Sequence, residues 1–578
     1  MAAIEKNSPI CYNALVSKRP KKENVEMSEF SVKTVSSLEK LIPGTDITAP
    51  QITSACALVG EEYCYQIAVR GNAGLAVVSL SVVSDIAECI KVYSVHAVPV
   101  VTPHFPGICD DDYITHAPAL IPDVLVPVEG TLNVSCDYYH NLWVCVKVND
   151  PALAGKHGIK IELVCNGQPV GTSTFELDII GVRLPDADIP IANWFHSDCI
   201  ATYHGCEVFS ERHWELIGAY MRTAREHGIN MILTPVFTPP LDTDVGAERP
   251  TVQLVDVACD ESGTYTFGFD RLLRWLDLAR ECGMEYIEIS HLFTQWGAEH
   301  APKIVVTEGG ERVKKFGWHT DSLGADYLSF LDQLLPALCA FLKANWSRDK
   351  IYFHISDEPG QAHAERYTRI YEFMAPRLKE FKKMDAIGSY EFYLTGSVET
   401  PVVATSQIEK FLGKGIEELW CYYCCSQGNR NLANRFMAMP SARNRIIGLE
   451  MYIEGIRGFL QWGYNFYYSR LSKRAIDPYL ITDADRGFPA GDAYSVYPTE
   501  NGASPSLRLK VFKSGIADMC AAKLLESMIG KEAVREIVLS RGKIAFTDAP
   551  HTADDLLFIR EKINEKIKET ILNDASKN

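Results

Sequence analysis

The chain has 578 residues, of which 47% are hydrophobic and 23% charged, and its formal net charge is −17. A chain of this length exceeds what one hydrophobic core usually supports, so two or three folded domains are expected. The negative charge disfavours nucleic acid and anionic membranes as partners, because lysine and arginine supply most of the affinity for both. A neutral substrate fits this composition better.

The N-terminal segment and the cysteines indicate where the protein works. Residues 1–27 form a polar tail with a basic run at 18–22, which is typical of solvated chain rather than of a nucleic-acid site. Neither a signal peptide nor an apolar run of membrane-spanning length is apparent, and seventeen cysteines are most easily kept as thiols in a reducing compartment. We therefore expect a cytoplasmic protein.

Residues 28–185 are rich in short β-branched runs separated by clusters of the turn formers Gly, Pro, Asn and Asp. Several of these runs alternate apolar with polar residues, as half-buried antiparallel strands must. The pattern predicts an N-terminal β-sandwich domain over this range. Its clearest strand candidates are 66–70, 74–83, 142–148 and 160–164.

After Pro185 the pattern changes to short apolar strands that alternate with amphipathic helices, which indicates a parallel α/β arrangement. The fold class is therefore α/β: a TIM-like (β/α)8 barrel over residues 186–530, preceded by the sandwich and followed by a helical extension, 531–578, packed on the barrel. Eight strands are predicted, at 189–194, 231–235, 286–291, 351–356, 386–390, 402–405, 419–423 and 458–462. Helices are predicted at 210–227, 270–282, 321–345, 362–382, 430–454 and about 505–527, with Ser210 and Asp270 as N-caps.

Two adjacent carboxylates, Asp357 and Glu358, follow the fourth predicted strand. Catalytic groups of such barrels project from the carboxyl ends of the strands, and neighbouring side chains can converge where the chain leaves the sheet. Pro359 favours an extended backbone at Glu358, and Gly360 permits a turn into the next helix. From spacing alone, a polar loop with a helix cap is an equally good interpretation.

Aromatic and polar residues follow other predicted strands, and together they suit a sugar. A sugar ring offers apolar C–H faces for stacking and hydroxyls for hydrogen bonds. Any one of these aromatic rings could instead fill the barrel interior. The predicted substrate-binding residues are His291, Tyr393, Trp420, Tyr422, Trp462, Tyr464, Asn465 and Asp492.

Motifs for other chemistries are missing from the sequence. It has no P-loop, no Gly-x-Ser-x-Gly elbow, no His-Glu-x-x-His and no dinucleotide fingerprint after a strand. The densest cysteine group, Cys421, Cys424 and Cys425, lacks the second Cys-x-x-Cys that would complete a zinc ribbon. We therefore expect acid catalysis without a cofactor and without a metal.

Three segments resemble glycoside hydrolase family 123: HISDEP at 354–359, RGFLQWGYN at 457–465, and GDAYSVYP at 491–498 with SLRLK at 506–510. The resemblance covers about residues 185–530, and it implies an exo-acting retaining β-N-acetylgalactosaminidase that acts on a glycan or glycolipid. In the substrate-assisted mechanism of that family, the 2-acetamido oxygen of the sugar attacks the anomeric carbon, so that no carboxylate nucleophile is needed.

The resemblance also implies a division of roles between the two carboxylates. Asp357 would orient the acetamido nitrogen and stabilise its developing charge. Glu358 would protonate the leaving oxygen and later deprotonate water, and its negative neighbour favours the proton that this role requires.

Two other interpretations stay open at this point. A glycosidase of the same fold could act on another hexosaminide or on a sugar without an acetamido group. A carbohydrate-binding protein could retain the barrel after losing turnover, although the intact pair of carboxylates disfavours this interpretation.

Overall fold

The computed structural model describes residues 30–72, 74–547 and 552–575, so the tail predicted at 1–27 lies outside the described residues. Ten strands come first: β1 (Ser31–Ser36), β2 (Ser54–Val59), β3 (Glu62–Arg70), β4 (Leu75–Val83), β5 (Ile90–Val100), β6 (Ala119–Pro127), β7 (Thr131–Ser135), β8 (His140–Lys147), β9 (Gly155–Cys165) and β10 (Gln168–Arg183). They form two five-stranded sheets, in the orders β1-β3-β8-β5-β6 and β2-β10-β9-β4-β7. Apolar side chains of both sheets share one core, in which the rings of Tyr65 and Phe175 stack at 4.4 Å.

The strands that follow are β11 (Ile191–Asn193), β12 (Met231–Thr234), β13 (Asp256–Cys259), β14 (Tyr265–Gly268), β15 (Tyr286–Ile289), β16 (Ile304–Glu308), β17 (Glu311–Phe316), β18 (Ile351–His354), β19 (Lys382–Ile387), β20 (Thr400–Ala404), β21 (Trp420–Tyr422), β22 (Gly458–Gln461), β23 (Val496–Thr499) and β24 (Gly502–Pro505). Eight of them close a parallel barrel in the order β11-β12-β15-β18-β19-β20-β21-β22. Each predicted strand coincides with one barrel strand, although β19 begins at Lys382 rather than at 386. The sequence-based expectation of an α/β chain with a sheet-rich N-terminal region and a closed eight-stranded barrel is confirmed.

Most of the helices lie between successive barrel strands in the chain, and the last three follow the final barrel strand. They are α1 (Ser197–His204), α2 (Glu211–Glu226), α3 (Asp270–Glu281), α4 (Ala325–Asn345), α5 (Ala364–Arg377), α6 (Tyr390–Leu394), α7 (Ser441–Arg445), α8 (Ile447–Glu454), α9 (Leu507–Ile529), α10 (Lys531–Val538) and α11 (Ala553–Ala575). Ser210 caps α2 as predicted, because its hydroxyl accepts from the backbone N–H of His213. Asp270 does not cap α3: it is the first helical residue, and Phe269 occupies the N-cap position.

The prediction for residues 430–454 is wrong in its first half, since the helices α7 and α8 begin only after Pro440. Residues 430–440 form a loop that holds Arg435 inside the protein, where its guanidinium donates to Asn193 Oδ1 (2.8 Å) and to the backbone oxygen of Gly463, just after β22. The connection from β20 to β21 contains only a 3-10 turn, Ile408–Lys410.

Helix α4 is long and apolar enough, by length and composition alone, to cross a membrane. Eight of its side chains are buried in the protein, among them Leu331, Leu334 and Leu338. Such burial is typical of a core helix of a globular domain.

Buried ion pairs fix the N-terminal sheets and the last helix against the barrel. Asp123 of β6 accepts two hydrogen bonds from Arg508 of α9, each 2.9 Å long. Arg560 of α11 bridges Glu61 (2.5 Å) and Asp518 of α9 (3.1 Å). All of these side chains are almost fully buried, so each charge depends on its partner.

Candidate active site

The predicted carboxylate pair follows strand β18 and lies at the carboxyl end of the barrel. Just beyond the last residue of β18, His354, the backbone N–H of Ser356 donates to Asp385 Oδ2 on the neighbouring strand (2.9 Å). The backbone oxygen of Asp357 accepts from the N–H of Trp296, in the loop after β15 (2.8 Å). The turn that holds the pair is therefore anchored on both sides.

Glu358 has a left-handed backbone conformation, with φ of +46°, so the extended conformation predicted from Pro359 is wrong. This conformation costs roughly 1–2 kcal/mol for a residue with a β-carbon. The hydroxyl of Tyr422 donates to Glu358 Oε1 (2.5 Å) and helps to hold the side chain. As a result Asp357 and Glu358 line the same pocket, although successive side chains of a strand point to opposite faces.

The pocket at this end of the barrel encloses about 620 Å³, counting its open mouth. Both carboxylates are half-buried in its wall, and aromatic rings form much of the remainder. The lining residues are Trp194, Leu241, Asp242, Gln295, Trp296, Asp357, Glu358, Ala386, Tyr422, Cys424, Cys425, Leu460, Trp462 and Phe488.

Inside the barrel, His354 lies between two buried carboxylates. Its Nδ1 is hydrogen-bonded to Glu288 Oε1 (2.9 Å), and its Nε2 lies 3.5 Å from Asp385 Oδ1. Burial alone would lower the pKa of His354, but the hydrogen bonds and charges of Asp385 and Glu288 outweigh it and raise the pKa to about 10. The two carboxylates therefore favour the imidazolium form of His354 at neutral pH.

Burial and then the charge of Glu358 raise the pKa of Asp357 well above its ordinary value, while the positive charge of His354 opposes this shift. Burial and the neighbouring negative charge therefore favour the protonated form of Asp357. A pair in which one carboxyl is protonated can supply a proton to a leaving group and still offer one carboxylate to a ligand.

Four of the predicted site residues meet at the pocket: Asp357, Glu358, Tyr422 and Trp462. Asp492 reaches it indirectly, since Trp462 Nε1 donates to Asp492 Oδ2 (2.9 Å). Burial raises the pKa of Asp492 to about 7. Asp492 therefore acts on the pocket by orienting the Trp462 indole.

Three other predicted residues lie away from the pocket. Trp420 is fully buried inside the barrel, with its ring centroid 5.1 Å from that of Tyr352. Tyr464 is buried as well, and its hydroxyl donates to a backbone carbonyl of α2 (2.9 Å). The Asn465 side chain is bonded to the backbone of His196 on both its oxygen and its nitrogen. These three side chains therefore pack in the protein interior and do not contact the pocket.

The last two predicted residues also do not line the pocket. Tyr393 lies on α6, where its ring stacks on that of Tyr390 at 5.8 Å. His291 is buried with its ring 4.1 Å from that of His354. Burial and the neighbouring imidazolium hold the pKa of His291 well below its ordinary value.

Several lining residues escaped the sequence-based prediction. Trp194 follows β11 directly, so the rule that functional groups lie at strand ends could have identified it. Its Nε1 donates to Glu288 Oε1 (2.9 Å). Asp242, Trp296 and Phe488 lie in long loops, where no spacing signal marks them. Burial raises the pKa of Asp242 to about 6.

Glu288, His291 and His354 each place one ligand atom within 4.8 Å of the others, which is close enough to share a metal ion. His354 Nδ1 is, however, already hydrogen-bonded to Glu288 Oε1 (2.9 Å), and its carboxylate neighbours favour the imidazolium form, which has no lone pair for a metal. Glu288 and His354 are therefore better described as a buried hydrogen-bonded pair.

A family model described as glycoside hydrolase 123, catalytic domain, matches residues 194–525. Among solved structures, a family 123 glycoside hydrolase from Clostridium perfringens, studied for glycolipid glycan hydrolysis, has a TM-score of 0.70 and 15% identity, over 95% of this chain and 99% of that one. At this level of sequence identity, the similarity shows that the two chains share a fold.

Two further solved structures are similar only at a low level. A family 2 glycosyl hydrolase from Bacteroides cellulosilyticus has a TM-score of 0.27 at 9% identity, over 79% of this chain and 48% of that one. A family 5 mannosidase from Rhizomucor miehei has a TM-score of 0.31 at 12% identity, over 62% and 95%. TM-scores this low do not indicate a shared fold. No curated protein matches the sequence significantly.

Proposed function

Because this chain belongs to glycoside hydrolase family 123, its chemistry is glycoside hydrolysis, and we propose that it removes terminal β-linked N-acetylgalactosamine from a glycan or glycolipid. We assign the barrel to the TIM-like (β/α)8 class, in which catalytic groups lie at the carboxyl ends of the strands. One observation carries the proposal: Asp357 and Glu358 are adjacent in the chain and line one pocket.

The proposed mechanism is substrate-assisted and retains the anomeric configuration. The acetamido N–H of the sugar donates to Asp357, which aims the acetamido oxygen at the anomeric carbon and stabilises the oxazolinium ion. An N–H donor also favours the ionised form of Asp357, and the proton of Asp357 then moves to Glu358. Glu358 protonates the leaving oxygen and afterwards deprotonates the attacking water.

The remainder of the pocket supports a sugar as the ligand. The indoles of Trp462 and Trp296 offer apolar faces to the C–H groups of a sugar ring, and Trp296 is 48% exposed at the mouth. Exo action is what the resemblance to family 123 implies, and it is part of this proposal. The C. perfringens relative acts on glycolipid glycans, which supports the same substrate class here.

We also propose that the enzyme works in the cytoplasm. The support is its cysteine usage, since sixteen cysteines among the described residues are free thiols. Thiols in this number are maintained most easily under reducing conditions.

A panel of aryl glycosides tests the function. We expect rapid release of the aryl group from the β-N-acetylgalactosaminide and little or none from the β-galactoside, because oxazolinium formation requires the 2-acetamido group. Equal rates on both sugars would contradict the mechanism. Calorimetric binding of N-acetylgalactosamine with no hydrolysis of any substrate would show a carbohydrate-binding protein instead.

A second candidate function rests on Asp242, a third carboxylate in the pocket wall. A conventional retaining glycosidase would use Asp242 as its nucleophile and Glu358 as its acid, with a sugar that needs no acetamido group. Asp242→Asn separates the two candidates. Our proposal expects most of the rate on the aryl N-acetylgalactosaminide to remain, whereas a nucleophilic Asp242 predicts loss of turnover.

A further inference from the structure

The loop that joins β5 to β6 gathers two imidazoles and a thiol, although none of them takes part in the proposed reaction. One ligand atom each from His104, Cys109 and His116 lies within 4.8 Å of the other two. His104 Nε2 and His116 Nδ1 are 3.1 Å apart. The three residues are partly or fully exposed, so an ion can reach them from solvent.

These distances fit a zinc ion. Two imidazole nitrogens bound tetrahedrally to one Zn²⁺ at about 2.0 Å lie about 3.3 Å apart, close to the separation in this loop. His104 Nδ1 lies 3.0 Å from the carbonyl oxygen of Phe105. If Nδ1 donates to that oxygen, Nε2 carries the lone pair, which is the usual arrangement of a metal-bound histidine.

We infer that His104, Cys109 and His116 bind one Zn²⁺, with water at the fourth coordination position. Imidazole nitrogen and thiolate sulfur are the donors that Zn²⁺ prefers. A simple hydrogen bond between the two imidazoles would also account for their 3.1 Å separation, but it gives no reason for the thiol of Cys109 to converge on the same point.

The surrounding residues hold the three ligands in a fixed frame. The ring of Tyr113 lies edge-on to His104 at 5.4 Å and stacks on His116 at 5.8 Å. Tyr113 is itself buried, and its hydroxyl donates to the backbone oxygen of Gly428 on the barrel (2.8 Å). A preformed frame lowers the cost of ordering the ligands around an ion.

The same loop docks on a wall of the active-site pocket. Asp110, next to Cys109, accepts from the backbone N–H groups of Arg430 and Asn431 (2.9 and 2.8 Å). These residues follow Cys424 and Cys425, which line the pocket. The zinc ion would therefore cross-link the docking loop through its three protein ligands, next to the pocket wall.

Metal analysis of the whole protein tests this inference without any activity measurement. The reduced protein is stripped with a chelator, reloaded with Zn²⁺ or Co²⁺, passed through gel filtration and analysed for metal content and visible absorption. The variants are His116→Ala and Cys109→Ser. The matched controls are His96→Ala, at an exposed histidine of β5, and Cys136→Ser, at a partly exposed cysteine just after β7.

We expect wild type and both controls to retain one more equivalent of zinc than the two variants. The cobalt form of the wild type should show a thiolate-to-cobalt charge-transfer band that Cys109→Ser lacks. Equal zinc content in all five proteins, or a wild-type cobalt spectrum without the thiolate band, would overturn the inference. Both substituted side chains lie at the surface, so the variants are expected to fold.

Discussion

The hydroxyl of Tyr422 donates a 2.5 Å hydrogen bond to Glu358 Oε1. The two residues come from the carboxyl ends of β21 and β18, which are not neighbours in the barrel, so the bond crosses its mouth. Because Glu358 also has a left-handed backbone, its carboxyl is directed by a distant strand as well as by its own turn. Closure of the barrel thus places the proposed acid–base group.

Tyr422→Phe removes this donor and should slow catalysis. A hydrogen bond to a neutral group contributes about 0.5–1.5 kcal/mol, so kcat/KM for an aryl N-acetylgalactosaminide should fall about 2- to 12-fold in steady-state assays. Tyr423→Phe is the matched control, because the buried hydroxyl of Tyr423 has no hydrogen-bond partner among the described residues. Equal rates in both variants would show that the Tyr422 bond has no catalytic role.

Glu358→Gln should affect substrates according to their leaving groups. Loss of general acid catalysis costs roughly 10²- to 10⁴-fold, and the loss should be greatest for poor leaving groups, which need the proton most. Asp357→Asn is the comparison, since weaker orientation of the acetamido group should slow good and poor leaving groups alike. Steady-state rates on a series of aryl glycosides measure both. A uniform loss in Glu358→Gln would refute its role as acid.

The imidazolium of His354 should persist well above neutral pH. An exposed histidine loses its proton near pH 6.5, whereas Glu288 and Asp385 keep the pKa of His354 at about 10. The raised pKa contributes stability that is fully present below about pH 6.5 and is lost as the pH rises through about 10, so the melting temperature should fall across this window.

NMR of histidine-labelled protein measures this protonation directly, with His354→Asn used to assign the signal. At about pH 8 the His354 resonance should still have its imidazolium shift, although an unperturbed imidazole would have lost its proton by that pH. A neutral imidazole shift for His354 at about pH 8 would mean that the proposed ion-pair network is wrong.

Asp123→Asn should destabilise the whole protein by about 3–5 kcal/mol, because it leaves the charge of Arg508 buried without its partner. Glu176→Gln, which breaks the exposed pair of Lys156 and Glu176, should cost less than about 1 kcal/mol. Chemical denaturation of both variants gives the comparison. Similar losses would mean that the contact between the N-terminal sheets and the barrel does not depend on this ion pair.

The barrel could be predicted from sequence because its strands are short apolar runs between amphipathic helices, a local pattern that tertiary contacts do not override. The position of Asp357 and Glu358 after the fourth strand followed from that pattern. The left-handed turn at Glu358 could not, since the contacts that hold it come from Trp296 and Tyr422, which are distant in sequence.

Aromatic residues near strand ends were a poor guide to contact with the pocket. Trp420 and Trp462 occur in similar sequence contexts, yet Trp420 begins β21 and packs inside the barrel, whereas Trp462 follows the end of β22 and lines the pocket. A difference of only a few residues in position along the strand therefore decides whether the tryptophan lines the pocket. Asp242 and Trp296 were missed because loop conformation, which has no periodicity, places them at the site.

The central claim is that the sugar's own acetamido oxygen is the nucleophile, and progressive fluorination of the acetamido methyl tests it most directly. Each fluorine makes that oxygen less nucleophilic while the leaving group stays the same. We predict that kcat/KM falls steeply from the acetamido to the trifluoroacetamido substrate. A rate that does not depend on fluorination would contradict the claim and would point to an enzyme nucleophile such as Asp242.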